Sequence, residues 1–178
     1  MKINLTDERF KNIKFDGSRF PVLIEISKGM KNKYEIDKET GLLRLDRILY
    51  TSTHYPQNYG YIPLTLCDDG DPMDVLVVSS EELLPLSYCM ARPIGVVRML
   101  DNGRRDDKIL AVPIKDPFYS QINSINDLAK HLVDEIIHFF SVYKVLEGKE
   151  TAVGEVGDEK LALELINESI ALFNKTNE

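Results

Sequence analysis

A short acidic segment, residues 68–74, holds four carboxylates, one glycine and one proline immediately before an apolar run. Such crowding of like charge is unfavourable unless cations compensate for it. The glycine permits a tight bend, and the proline interrupts a hydrogen-bonded ladder. Three of the carboxylates can therefore converge on one side of a turn: Asp69, Asp71 and Asp74. Converging carboxylate oxygens are typical ligands of Mg²⁺, although a solvated acidic turn is the alternative for this segment taken alone.

Other metals match the sequence less well. The closing glutamate of an EF-hand calcium loop that starts at Asp69 would fall on Ser80. The three histidines and two cysteines have no zinc-ligand spacing. His138 lies on an aromatic helix face, where we expect a packed histidine. The pattern therefore favours hard oxygen ligands.

A second acidic group, residues 101–108, follows an apolar run and is typical of a hairpin turn. A polar loop is the alternative, but two acidic turns at strand ends could face each other and hold several metal ions. Glu25 and Arg47 interrupt otherwise apolar strands, and a charge on the inward side must be paired or bound. Lys, Arg and Tyr among many carboxylates indicate a small, highly charged phosphate compound bound through Mg²⁺.

The elements that position these residues predict an α+β fold. Four runs rich in Val, Ile, Leu and Tyr, separated by turn-forming residues, predict strands of a small antiparallel barrel: 20–26, 42–48, 74–78 and 88–99. Apolar residues at three- and four-residue steps predict a long helix that begins after Ser124 or Asn126 and stops at Gly148. The same pattern predicts a second helix over 158–174, packed on the barrel.

Length and composition exclude several classes. A chain of 178 residues with 43% hydrophobic and 29% charged residues predicts one globular domain, 1–178. A net charge of -7 opposes nucleic-acid binding. No apolar stretch is long enough to span a membrane, and the N-terminus becomes acidic and polar before a signal peptide can develop. Only Cys67 and Cys89 are present, so we expect a reducing, cytoplasmic location.

Taken together, these residues resemble the soluble family I inorganic pyrophosphatases from about residue 20 to residue 149. The signature is the run from Asp69 through Asp71 to Asp74, with Gly, Pro and Met between them. The run alone is moderately specific. The match becomes more specific because further segments on both sides of this run have the order and spacing of the family: 24–26, 33–37, 46–47, 55–61, 92–96, 101–108 and 138–144.

The resemblance implies an OB-like antiparallel β-barrel with two flanking C-terminal helices. It also implies that a metal-activated water hydrolyses pyrophosphate to two phosphates, with several Mg²⁺ ions in each active site. Asp71 matches the general base. The other matching positions are metal ligands (Glu25, Asp69, Asp74, Asp101, Asp106), phosphate-holding groups (Lys33, Arg47, Tyr59, Lys108, Tyr143, Lys144) and supporting residues (Glu35, Tyr55).

Three features depart from the family pattern. The chain has no Trp after Gly148, and Arg104 and Arg105 place two cations inside the second acidic turn. Val142 and Val145 stand where some hexameric bacterial members have His and Asp, so we expect an apolar subunit contact in a homo-oligomer, with a hexamer favoured. Two alternatives remain open: an OB-fold module for single-stranded nucleic acid, and a phosphohydrolase acting on nucleotides or polyphosphate.

Overall fold

A computed structural model describes residues 5–177. Residues 1–4, the first part of the N-terminal segment whose polarity predicts no export, lie outside the described residues. The strands are β1 Phe20–Ile26, β2 Asn32–Ile36, β3 Leu43–Ile48, β4 Asn58–Tyr61, β5 Asp74–Val77, β6 Tyr88–Asp101, β7 Arg104–Arg105, β8 Lys108–Pro113 and β9 Thr151–Gly157. The helices are α1 Leu5–Glu8, α2 Lys130–Val142 and α3 Glu159–Asn177, with 3₁₀ turns at Ile125–Asp127 and Val145–Glu147.

Five strands form a closed ring in the order β1-β4-β5-β8-β6, because β6 also pairs with β1. β7 and β9 extend the sheet from β6, while β2 and β3 form a separate hairpin. The prediction of a purely antiparallel barrel is wrong in one respect, since β5 and β8 run parallel. The long connection between these two strands passes through β6, which lets them run in the same direction. The ring is therefore mixed and is not a regular barrel.

The two faces of the ring are covered by different helices. Side chains alternate along a strand, so Leu76 of β5 faces the cluster that contains Phe139 and Phe140 of α2. Val75 and Val77 face the cluster that contains residues of α3. The predicted packing of the second helix on the strands is confirmed.

The predicted long helix is divided into three pieces. Ser124 caps a 3₁₀ turn in a capping box with Asp127, and Leu128 and Ala129 then adopt non-helical backbone angles before α2 begins. Gly148, in the left-handed conformation at φ 68°, ends the second 3₁₀ turn instead of α2. The expectation for His138 is also wrong: its side chain is exposed, because α2 turns its neighbours Phe139 and Phe140 toward the core.

Element ends differ slightly from the predicted ones. The first strand has the predicted bounds, β3 begins one residue later and β5 ends one residue earlier than expected. β6 continues two residues beyond 99, and α3 covers 159–177. Within residues 5–177, no helix has the length and apolar character needed to cross a bilayer.

β4 approaches β1 closely at Gly60. A Cβ atom at this position would lie 1.9 Å from the carbonyl oxygen of Leu23. Only glycine permits this approach. This close approach fixes the position of β4, which carries Tyr59, relative to β1, which carries Glu25.

Candidate active site

An open cleft of about 960 Å³ lies between the β2–β3 hairpin, the two acidic turns and the segment that follows α2. Charged and phenolic side chains dominate its lining. Twelve of the predicted site residues line this cleft: Glu25, Lys33, Glu35, Tyr59, Asp69, Asp71, Asp74, Asp101, Asp106, Lys108, Tyr143 and Lys144. The two acidic turns do face the same space, as the sequence indicated.

The first acidic turn is held by hydrogen bonds between its own residues. The N–H of Asp71 donates to Oδ1 of Asp69 at 3.0 Å, and Gly70 adopts φ +91°. The N–H of Cys67 donates to the carbonyl oxygen of Asp71 at 2.8 Å. Asp74 follows as the first residue of β5, where the strand register fixes it opposite Tyr61. The turn therefore presents Asp69, Asp71 and Asp74 at one edge of the cleft.

Lys108 is the central cation of the site and is only 2% exposed. Its Nζ contacts Oδ2 of Asp74 at 2.5 Å and also the carboxylate of Asp106. Burial alone would lower the pKa of Lys108, but the charges of Asp74 and Asp106 raise it above the usual value. The ammonium lies 5.9 Å from the ring centroid of Tyr59. Lys108 is therefore a permanent buried cation between two acids.

A second lysine enters from the end of α2. Nζ of Lys144 contacts Oδ2 of Asp101 at 2.6 Å. The preceding Tyr143 is buried against Phe139, with ring centroids 5.2 Å apart. Burial raises the pKa of Tyr143, and the carboxylates of Asp106 and Asp101 raise it further. Its phenol therefore stays protonated and able to donate a hydrogen bond.

The phenol of Tyr59 also stays protonated. Burial raises the pKa of this phenol well above its usual range, and the charges of Asp74 and Asp106 act in the same direction. Tyr55 is buried and does not line the cleft. Its ring packs against the ring of Tyr59, with the two centroids 5.3 Å apart. This position agrees with a supporting role.

Glu25 is a buried acid on β1, 8% exposed, and its Oε1 accepts from the N–H of Ile36 at 2.7 Å. Burial raises the pKa of Glu25 to about 8, and the charge of Asp74 adds to the shift. The hydrogen bond connects β1 to the hairpin. An apolar strand thus delivers one carboxylate into the cleft, as its interruption of the apolar pattern indicated.

Arg47 is the second predicted residue outside the cleft lining. It lies opposite Lys33 in the hairpin, and its guanidinium contacts Asp46 and Glu147. Asp46 also lies 3.4 Å from Nζ of Lys33. The two hairpin cations therefore share one carboxylate.

Several cleft residues were not singled out as site residues from the sequence. Nζ of Lys38 lies 2.7 Å from Oδ1 of Asp71, and Arg44 contacts Glu35 at 3.2 Å. Both cations belong to the β2–β3 hairpin, and only the proximity of this hairpin to the acidic turn reveals them. Tyr34, Tyr61, Arg104 and Arg105 also line the cleft.

The donor set suits a hard divalent cation. Among residues 5–177, no three His, Cys, Asp or Glu side chains lie close enough together to hold one metal ion; lysines contact several of the acids instead. Partial burial raises the pKa of Asp69, and the neighbouring charges of Asp71, Asp106 and Asp74 contribute. A cation would relieve this repulsion, and carboxylate oxygens are the ligands that Mg²⁺ prefers.

An OB-like ring with a cleft of acids, lysines and protonated phenols is the arrangement of a phosphate-processing protein. The family model described as "Inorganic pyrophosphatase" matches residues 22–174. The chain therefore belongs to the inorganic pyrophosphatase family, and the OB-like α+β prediction is confirmed.

Three relatives illustrate the similarity. Soluble inorganic pyrophosphatase 5 of Arabidopsis thaliana is 51% identical over 86% of this chain and 71% of its own length. The inorganic pyrophosphatase of Halalkalibacterium halodurans is 49% identical over 84% of this chain and 92% of its own. The solved inorganic pyrophosphatase of Helicobacter pylori superposes with a TM-score of 0.88 at 41% identity, covering 92% of this chain and 98% of that one.

Proposed function

We propose that this protein hydrolyses inorganic pyrophosphate to two phosphates. The observation that carries the proposal is the cleft in which acidic side chains alternate with the buried Lys108 and with Lys144. Pyrophosphate is small and highly anionic, so it needs both cations and carboxylate-bound metal for charge compensation. Membership of the inorganic pyrophosphatase family supports this assignment. The protein is an enzyme, an inorganic diphosphatase.

Mg²⁺ is the cofactor that the donor chemistry favours. The residues that would hold it are Glu25, Asp69, Asp74, Asp101 and Asp106. When bound, a divalent ion lowers the pKa of water and neutralises phosphate charge.

The chain's own groups have separate tasks. Asp71 is at the exposed edge of the turn, where it accepts a proton from the attacking water. Lys33, Lys108 and Lys144 donate to phosphate oxygens and compensate the charge of the departing phosphate. The protonated phenols of Tyr59 and Tyr143 add neutral hydrogen-bond donors.

The setting of the enzyme belongs to the same proposal. We place it in the cytoplasm as a single domain over residues 1–178, and as a homo-oligomer, with a hexamer favoured. Val145 is 56% exposed and the adjacent Leu146 is 65% exposed, which supports an apolar contact there. No partner among nucleic acids or membranes is proposed, since the net charge is -7.

The test is the initial rate of phosphate release from pyrophosphate, with and without Mg²⁺, and with ATP in a parallel series. We expect rapid release from pyrophosphate only with Mg²⁺, and release from ATP at least about tenfold slower. An equal or faster rate with ATP would favour the nucleotide phosphohydrolase instead. No release from either substrate would reject the assignment.

A further inference from the structure

The guanidinium of Arg47 is fixed at two nitrogens and unsatisfied at the third. Nε donates to Oε1 of Glu147 at 2.8 Å, and Nη1 donates to Oδ2 of Asp46 at 2.5 Å. Nη2 is buried and has no hydrogen-bond partner among residues 5–177. A buried donor of a charged group is costly when unpaired, and a guanidinium matches the geometry of phosphate oxygens. Nη2 is therefore the nitrogen of Arg47 that is available to donate to a ligand atom.

Glu147 reaches Arg47 from a distant part of the chain. Its side chain is 5% exposed and it closes the 3₁₀ turn Val145–Glu147. Its N–H donates to the carbonyl oxygen of Lys144 at 3.0 Å. One short turn thus carries both Lys144, which points into the cleft, and the carboxylate that holds Arg47.

Arg47 is close enough to the cleft for its orientation to matter. It is paired with Lys33, a cleft residue, across the hairpin. Burial and the carboxylates of Asp106 and Asp101 raise the pKa of Tyr143, and the charge of Arg47 acts in the opposite direction. A rotation of the guanidinium therefore changes which groups the free Nη2 can reach.

Stability alone does not account for this contact. A buried ion pair loses much of its Coulombic attraction to desolvation, and apolar side chains of similar volume stabilise such a position equally well or better. A pair that fixes the plane of a guanidinium provides orientation, which an apolar pair cannot supply.

We propose that Glu147 is a positioning residue for Arg47: it fixes the guanidinium so that Nη2 faces the phosphate site, and it connects the hairpin to the Lys144 turn. The inference rests on the proposed function, because it assigns Arg47 to a phosphate of the substrate. Glu147 is not among the residues that line the cleft, so it would act through Arg47.

The test is a double-mutant cycle between Glu147→Ala and Arg47→Ala. The readouts are kcat/KM for pyrophosphate with Mg²⁺, calorimetric binding of the non-hydrolysable analogue methylenediphosphonate, and the melting temperature. Glu147→Ala should lower kcat/KM about 10- to 100-fold, the range for one charge-assisted hydrogen bond, and weaken analogue binding. In the Arg47→Ala background the same change should have no further effect. Glu147→Gln, which keeps the volume and one oxygen acceptor, should recover part of the loss.

Lys149→Ala is the matched control, because Nζ of Lys149 lies 3.6 Å from the other carboxylate oxygen of Glu147 and the side chain is 48% exposed. It should stay within about twofold of the wild type. Additive losses in the cycle, or a Glu147→Ala variant with wild-type kcat/KM, would overturn the inference. Where Glu147→Ala fails to fold, Glu147→Gln carries the same cycle. Failure of the wild type to hydrolyse pyrophosphate would reject the proposed function separately, and the analogue-binding cycle would still decide the role of Glu147.

Discussion

Asp71 and Asp74 differ in the burial of their lysine partners. Asp74 contacts Lys108, whose side chain is 2% exposed, whereas Asp71 contacts Lys38, whose side chain is 53% exposed. An exposed ion pair stabilises by only about 0–1 kcal/mol, so Asp71 exchanges its partner readily. A buried pair is harder to break because the remaining charge is left uncompensated. Asp71 is therefore suited to proton transfer, and Asp74 to a fixed electrostatic role.

Asp71→Asn tests the role of the base. The substitution keeps the shape but removes the proton acceptor and one negative charge, so we expect kcat to fall about 10²- to 10⁴-fold. The fold should persist, because the side chain is 68% exposed. Steady-state kinetics measures the effect, with circular dichroism as the check on folding. Turnover close to that of the wild type would show that another group takes the proton.

Asp74→Ala separates a metal ligand from a structural acid. We expect it to raise the Mg²⁺ concentration needed for half-maximal activity and also to lower the maximal rate, since this carboxylate is a proposed metal ligand and balances the charge of Lys108. Asp68→Ala is the matched control, because Asp68 is exposed and outside the cleft lining. Mg²⁺ titrations that do not distinguish the two variants would contradict the geometry of this turn.

The sequence identified most of the charged residues that line the cleft, but not how they pair. The family pattern identified Lys33, Lys108 and Lys144 because it fixes residue type at each position. Lys38 and Glu147 were missed as site residues, since their contacts with Asp71 and Arg47 join residues 33 and 100 positions apart. Only the folded chain brings such residues together.

At the scale of elements, β4 positions the site through its close approach to β1. Gly60→Ala would place a methyl group 1.9 Å from the carbonyl oxygen of Leu23, so the strands must separate. We expect a loss of about 3 kcal/mol or more in unfolding free energy, at the upper end for overpacking, together with reduced activity because Tyr59 and Glu25 shift. Urea unfolding measures the first effect and phosphate release the second.

Gly154→Ala is the control for this change. Its Cβ would lie 3.4 Å from the carbonyl oxygen of Arg98, which is an ordinary contact on the outer strand β9. The expected change is within about 1 kcal/mol. Equal stability of the two variants would show that β4 and β1 are not held as closely as described.

Some elements could be predicted from the sequence and others could not. β1 was predicted because its seven residues are buried and mostly apolar. Five strands were not predicted: β2, β4, β7, β8 and β9. β2 carries charges on a partly exposed hairpin, β4 and β7 have only four and two residues, and β9 contains two glycines. β8 begins at Lys108, inside the second acidic segment. The parallel pairing of β5 with β8 was not predictable either, because pairing between distant strands leaves no local pattern. The break at Leu128 was hidden by continuous helical spacing on either side.

At the scale of the whole molecule, the proposed subunit contact involves exposed apolar side chains after α2. Val145 and Leu146 are 56% and 65% exposed, whereas Val142 is half-buried. Val145→Asp is therefore the cleaner substitution, since it adds charge without disturbing the core. We expect the mass from light scattering coupled to size exclusion to fall below that of the wild type, because like charges would face each other across the contact.

The control for assembly is Leu84→Asp, which changes a side chain that is 76% exposed in the segment between β5 and β6. Its mass should equal that of the wild type. An unchanged mass for Val145→Asp would show that this surface is not an interface. A wild-type mass equal to that of the monomer would contradict the proposed hexamer.

The proposal that pyrophosphate is hydrolysed in this cleft is tested most directly by ³¹P NMR of the reaction mixture. The wild type, Asp74→Ala and Asp68→Ala are measured in parallel. We expect the wild type and Asp68→Ala to convert the pyrophosphate resonance into a single phosphate resonance, two phosphates for each pyrophosphate, only when Mg²⁺ is present. Asp74→Ala should be far slower at the same Mg²⁺ concentration. Persistence of the pyrophosphate resonance with the wild type and Mg²⁺ would contradict pyrophosphate hydrolysis in this cleft. Equal conversion by all three proteins would contradict the role of Asp74.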